Sequence, residues 1–210
     1  MKNAINEASL LDMLGFITPL PAPFQKRVKE EMCTSYFKRK QLVLKPGEIC
    51  RRLYFICSGF LRGYFIDENG KECTTWFVGK GELMISSYSF FTQQPSIEYI
   101  EVLEDTRVQS LTWHELNSLY ADFKEGNLLG RIFTQKYLLL SEQRTLFLRT
   151  HKPEHKYDLL IAANPKIELQ TTQANIASYL GISRETLSRI KRSKIESSRK
   201  QHQIISAVKH

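Results

Sequence analysis

The sequence predicts an α+β protein: a sandwich or barrel of short strands, a long helix, and a C-terminal helix-turn-helix. Three observations lead there. Between residues 36 and 111 the chain runs in short segments rich in β-branched and aromatic residues, separated by turn residues at regular spacing, as in closed or stacked antiparallel sheets. Residues 127–150 carry apolar side chains at helical period. Residues 172–190 divide into two short apolar-periodic stretches around Gly181, the layout of two helices joined by a tight turn.

The N-terminal residues 9–33 read as helical, with Leu10, Leu11, Leu14 and Phe16 first and Phe24, Val28 and Met32 after a break at Pro19-Leu-Pro-Ala-Pro23. Strands follow over 36–44, 53–58, 60–66, 71–78, 97–103 and 106–111, with turns at Lys45-Pro-Gly-Glu48, Asp67-Glu-Asn-Gly70 and Gly79-Lys-Gly-Glu82. Thr112-Trp-His-Glu115 is a capping box and starts a helix. The long helix then has two apolar stripes. Phe133, Tyr137, Leu140, Arg144 and Phe147 have the alternating four–three spacing of a face that meets a second helix. Leu128, Ile132, Leu139 and Leu146 form the stripe expected to pack on the strands. A single broad core-facing helix is the alternative. Lys152-Pro153 breaks the chain, a helix covers 154–163, and Asn164-Pro165 ends it. Residues 196–210 have little pattern. The expected domains are a strand domain at 1–126, a linking helix at 127–151 and a helical domain at 152–210.

Charge and cysteines narrow the function. The 210 residues carry a net charge of +8. From residue 150 onward there are 11 Lys and Arg against 5 Asp and Glu, whereas residues 1–149 hold 19 against 17. The positive excess thus sits with the helix-turn-helix, where a polyanion partner would be met. No apolar run has the length of a bilayer span and the N-terminus lacks a secretion signal, so a cytoplasmic protein without membrane contact is expected. Cys33, Cys50, Cys57 and Cys73 form no C-x-x-C pair and have no histidines at zinc spacing, so neither a metal nor another cofactor is expected. There is no P-loop, H-E-x-x-H or G-x-S-x-G, and His114 and His151 have no evident acid or nucleophile beside them. No catalytic residue is expected and an enzyme is the weakest reading.

In the helix-turn-helix, Thr171 or Thr172 can cap the first helix and Ile176, Ala177 and Leu180 give it an apolar side. Gly181 ends it, and Ser183 caps the next helix. At roughly 100° per residue, Arg184, Glu185, Ser188, Arg189 and Arg192 share an outward arc of about 140°, with Thr186, Leu187 and Ile190 opposite. Guanidinium forks fit guanine O6 and N7, a carboxylate can accept from cytosine N4, and Ser183 with the first amides suits a phosphate. The competing reading is a solvated charged face with an internal Glu185–Arg189 pair.

The order of strand domain, long helix and helix-turn-helix resembles the cyclic-AMP receptor and fumarate–nitrate regulator (CRP/FNR) family of bacterial transcription factors. The resemblance covers about residues 10–194 and is sharpest at Ser183-Arg-Glu-Thr-Leu-Ser-Arg189. It implies a double-stranded β-helix (jelly-roll) sensor domain and a homodimer joined through the long helix, here by Phe133, Tyr137, Leu140, Arg144 and Phe147. It also implies a two-fold double-stranded DNA site and RNA polymerase as a further partner. Arg184, Glu185, Ser188 and Arg189 would read bases, and Thr172, Gln173 and Ser183 would hold the DNA backbone. The family's C-terminal wing has little strand pattern at 197–205, so Lys191, Arg192 and Lys194 are expected to replace its phosphate contacts. The strand domain departs from the nucleotide-binding pattern. The family's Gly-Glu pair and phosphate-binding Arg are replaced by Ile85-Ser86 and Ser96-Ile97-Glu98. Ser86, Ser96 and Ile97 are then the candidate pocket residues for an unknown small-molecule effector, and cyclic AMP is not expected to bind. The rival function is a small-molecule sensor whose output is a protein partner.

Overall fold

The computed structural model describes residues 8–207, with side chains through residue 197. The chain falls into two compact units that divide between Ser141 and Glu142. In the first, helices α1 (Leu10–Ile17) and α2 (Ala22–Glu31) precede strands β1 (Cys33–Phe37), β2 (Leu42–Leu44), β3 (Arg52–Ile66), β4 (Glu72–Gly79) and β5 (Leu83–Met84). Helix α3 (Ser87–Thr92), strand β6 (Tyr99–Thr112) and helix α4 (Trp113–Asp122) follow, and α5 (Lys124–Thr150) runs across the division. The second unit continues with α6 (Pro153–Ala163), α7 (Ile167–Gln170), α8 (Gln173–Leu180) and α9 (Arg184–Ala207).

The six strands form one antiparallel sheet in the order β1-β6-β3-β4, with β2 also on β6 and β5 on β3. The sheet is built on β3 and β6, each expected from sequence as two strands and each found as one. Gly59 is the reason. Its φ is +102°, and a Cβ there would lie 2.6 Å from the Thr106 Cα. Only glycine lets the two backbones come this close, and the register shifts there instead of the strand ending. Between β1 and β2 the segment expected as one strand over 36–44 is interrupted at Lys40, whose φ is +73°.

Alternation along the strands fills two cores. Ile56, Leu61, Met84, Phe90, Ile100, Val102 and Val108 form one. Phe55, Cys57 and Leu111 face the other way and pack with Leu10, Leu14, Phe24, Val28, Leu119 and Leu129 from the helices. Arg62 is buried between β4 and β6, its guanidinium 2.7 Å from both Glu72 and Glu101 and 4.1 Å from the centre of the Tyr64 ring. The cysteines are all unbridged. Cys57 and Cys73 sit in strands and Cys50 just ahead of β3, and burial raises the thiol pKa of all three, which keeps them out of the reactive thiolate form. Among the described residues no three metal-ligating side chains converge, and no helix is long and apolar enough to cross a membrane.

The Thr112 capping box forms as expected, Thr112 accepting from the Glu115 amide while Glu115 accepts from the Thr112 amide. Two short helices, α3 and α7, were not foreseen; neither is long enough to show a helical period. The tail differs most. Residues 196–207 continue α9 without a break, so among the described residues no strand follows that helix.

Helix α5 begins at Lys124, three residues before the sequence pattern shows it, because Gly126 is inside it. A Cβ on Gly126 would stand 2.3 Å from the Leu119 carbonyl oxygen, so α4 and α5 touch through bare backbone. In an open helix, glycine to alanine gains about 1 kcal/mol of helix propensity. Gly126→Ala is instead expected to destabilise the strand domain by about 1–3 kcal/mol, as overpacking does. Urea unfolding reads the sign directly, and a stabilised variant would refute the close contact.

Candidate functional site

Thr172 caps α8, its hydroxyl accepting from the Asn175 amide at 3.2 Å, and Thr171 instead accepts from the Asn175 side chain. Gly181 ends the helix at φ +65°, and the Ile182 amide closes back on the Ala177 carbonyl at 3.0 Å. Ser183 then caps α9 by accepting from the Thr186 amide at 3.1 Å. Ile176, Ala177, Leu180, Leu187 and Ile190 are buried together. Burial of the last two fixes the rotation of α9, so Arg184, Glu185, Ser188, Arg189 and Arg192 are exposed on its outer side.

The Glu185–Arg189 pair does not form among the described residues; Arg189 reaches the Thr186 hydroxyl at 3.4 Å. Glu185 has a lowered carboxyl pKa, held there by the helix-terminal amide, Ser183 and Arg184. Gln173 faces Ser188, Lys191 and Arg192 across a shallow depression of about 300 Å³, which brings four of the candidate residues together. Two basic residues expected to face outward are engaged within the unit. Lys191 pairs with Glu168 of α7 at 2.7 Å and Lys194 with Asp158 of α6 at 2.6 Å. Arg192 keeps the exposed position.

Helix α8 is held from behind by two cations that the sequence reading assigned differently or missed. Arg144 stacks its guanidinium 3.7 Å from the Tyr179 ring centre and donates to the Tyr179 carbonyl. Lys156, 6% exposed, donates to the Leu148 carbonyl at 2.8 Å and lies 3.4 Å from that of Leu180. Its pKa is lowered, first by burial and then by Arg144.

The stripe of α5 expected to meet a second helix has contacts of its own within the chain. Phe133 packs into the helical side of the core. Tyr137 donates to the Leu83 carbonyl at 2.6 Å beside Trp76, and burial raises its pKa. Phe147 meets Tyr179, and Arg144 stacks on the same ring. Of that stripe only Leu140 is exposed, at 38%. Leu139 and Leu146, expected to pack on the strands, are exposed instead at 58% and 52%. Both stripes are apolar at helical spacing, and only the folded surroundings distinguish them.

In the first unit, Ser86 and Ser96 are buried with their hydroxyls 3.0 Å apart. Ser86 donates to the Glu98 carboxylate at 2.7 Å, and Ser96 accepts from the Glu98 amide at 2.9 Å. Ile97, between them in sequence, points outward and is 73% exposed. Ser86, Ile97 and Glu98 line a cavity of about 860 Å³, and Ser96 does not; the cavity's aromatic walls come from Phe65, Trp76, Phe91, Phe133 and Tyr137. The pattern marked the serines; the aromatic walls come from four separate elements and left no local signal.

Residues 34–123 match the cyclic nucleotide-binding domain family. The anaerobic regulatory protein of Haemophilus influenzae is 26% identical over 164 residues, covering 73% of this chain and 63% of that protein. The fumarate and nitrate reduction regulatory protein of Yersinia pestis is 27% identical over 166 residues, covering 73% and 65%. The chain thus spans less than two thirds of the length of either relative. Among solved structures, FixK2 from Bradyrhizobium japonicum superposes with a TM-score of 0.70 at 16% identity, over 80% of this chain and 85% of that one. A regulator assigned to the CRP/FNR family from Eubacterium rectale does so at 0.66 and 18%, over 88% of each. Those two share the fold, an α+β arrangement around an antiparallel sheet. The chain thus contains a segment, 34–123, that matches the cyclic nucleotide-binding domain family, and over most of its length it is similar to regulatory proteins.

Proposed function

We propose that the protein is a sequence-specific DNA-binding transcription regulator, acting as a homodimer on a palindromic site and not as an enzyme. In this reading residues up to about 126 are a jelly-roll sensor domain, 127–151 the dimerisation helix, and the segment from 152 the DNA-binding domain with α8, Gly181 and α9 as its helix-turn-helix. One observation carries it: with Leu187 and Ile190 buried, the first turns of α9 present Arg184, Glu185, Ser188 and Arg189 to solvent as a block. Side chains so placed can reach base edges when the helix end enters the major groove. Thr172, Gln173, Ser183 and Arg192 flank that block and are assigned to the phosphates. The ion pair of Lys191 with Glu168 favours a supporting role for that lysine.

The partner copy is placed on the stripe of Leu128, Ile132, Leu139 and Leu146, whose last three members recur every seven residues and which is the more exposed of the two. That pairing would set the two copies of α9 about one DNA turn, roughly 34 Å, apart. An effector in the sensor domain would act by binding two such spacings unequally. RNA polymerase is the partner the family suggests, and the cytoplasm the compartment.

Selection from a random DNA pool is expected to return a two-fold symmetric site, with retention that falls steeply with salt. A salt-insensitive protein complex without DNA retention would favour the sensor with a protein output. Arg189→Ala is expected to cost about 1–3 kcal/mol and to relax preference at one G·C pair; equal weakening on every sequence would remove it from base reading. The double variant Leu139→Glu and Leu146→Glu should sediment as a monomer, and a persisting dimer would move the interface elsewhere. Cyclic AMP should give no micromolar heat of binding in titration calorimetry, since the cavity offers a carboxylate and no cation.

A further inference from the structure

The sensor-domain cavity has a chemistry of its own. Its volume of about 860 Å³ lies entirely within the first unit and is that of a site for one drug-sized molecule. Its lining includes no Lys, Arg or His and a single carboxylate, Glu98. That carboxylate is fixed in place. Ser86 donates to one oxygen at 2.7 Å, Thr75 approaches the other at 3.4 Å, and the Glu98 backbone amide is anchored on Ser96. Among the described residues no basic side chain is paired with it. The mouth is bordered by exposed apolar groups, Tyr88, Phe91, Ile97 and Leu138.

Charge decides among ligand classes. An anion would be brought beside Glu98 with no cation to offset it. A neutral apolar ligand would strip water from the carboxylate without supplying a partner. An ammonium group makes a charge-assisted hydrogen bond to the free side of the carboxylate, and its apolar body lies against Phe65, Trp76, Phe133 and Tyr137, whose ring faces attract positive charge.

We infer that this cavity is the receptor site for a hydrophobic amine, an aryl- or alkylammonium whose cationic head is held by Glu98. The inference deepens the effector-gated reading above, but its binding step stands without DNA. Titration calorimetry on the full chain with 4-phenylbutylamine, 4-phenyl-1-butanol and 4-phenylbutyrate varies the head group on one body. The amine is expected to bind tightest and the carboxylate weakest. Glu98→Gln keeps the shape and should weaken the amine about tenfold or more, as loss of a charged hydrogen-bond partner does, with the alcohol unchanged. Quenching of Trp76 fluorescence, absent in Trp76→Phe, places the ligand in the cavity even if Glu98→Gln folds poorly. Equal binding of all three probes, stronger binding of the carboxylate, or an amine that leaves Trp76 unaffected would overturn the inference. Gel shifts with the selected DNA separate the two claims: DNA binding without amine binding sinks only the ligand class, and the reverse sinks only the regulator.

Discussion

Lys156 sits almost out of reach of water where α5, α6 and α8 meet, its ammonium shared between the carbonyls of Leu148 and Leu180. Carbonyls at helix C-termini lack intrahelical partners, and a cation there answers both the hydrogen-bond deficit and the negative end of each helix dipole. The charge is expensive to bury, which shows in its lowered pKa, and is tolerated because two such ends converge on it. Arg144, stacked on Tyr179, secures the same helix from one turn earlier. The position of α8 depends on this pair of cations, and the rotation of α9 depends on α8 through Ile176, Leu180, Leu187 and Ile190. The outward face of α9 is thus set by contacts on its far side.

The two units use charge in opposite ways. In the second, exposed guanidinium groups stand at a helix start with few internal partners, a surface that attracts anions. In the first, the cavity combines apolar walls with one carboxylate held by hydroxyls. The exterior of one unit thus favours anions, whereas the cavity of the other disfavours them.

Much of this was legible in the residues. Thr172, Gly181 and Ser183 announce a helix end, a turn and a helix start by their chemistry alone, and the spacing of Leu187 and Ile190 fixes which side of α9 is hidden. Strand positions followed from alternation, with boundaries wrong where backbone contact decided them: Gly59 joins what looked like two strands because it permits a close approach that no local pattern records. The stripes of α5 were separable in sequence but not assignable, since Tyr137 and Leu139 are both apolar enough for either environment. The place of Tyr137 was settled by the Leu83 carbonyl on β5. Lys156 carried no signal in the sequence; its burial depends on where two distant helices end. The aromatic walls of the cavity were invisible for the same reason.

The unbroken course of α9 has a consequence of scale. Its 24 residues span about 36 Å at 1.5 Å per residue, roughly three times the width of a B-form major groove, about 12 Å. If its first turns lie among the bases, the rod is too long to remain inside the groove, and its latter half must emerge beyond the sugar–phosphate rail. In that arrangement the second half of α9 would be a lever standing clear of the duplex.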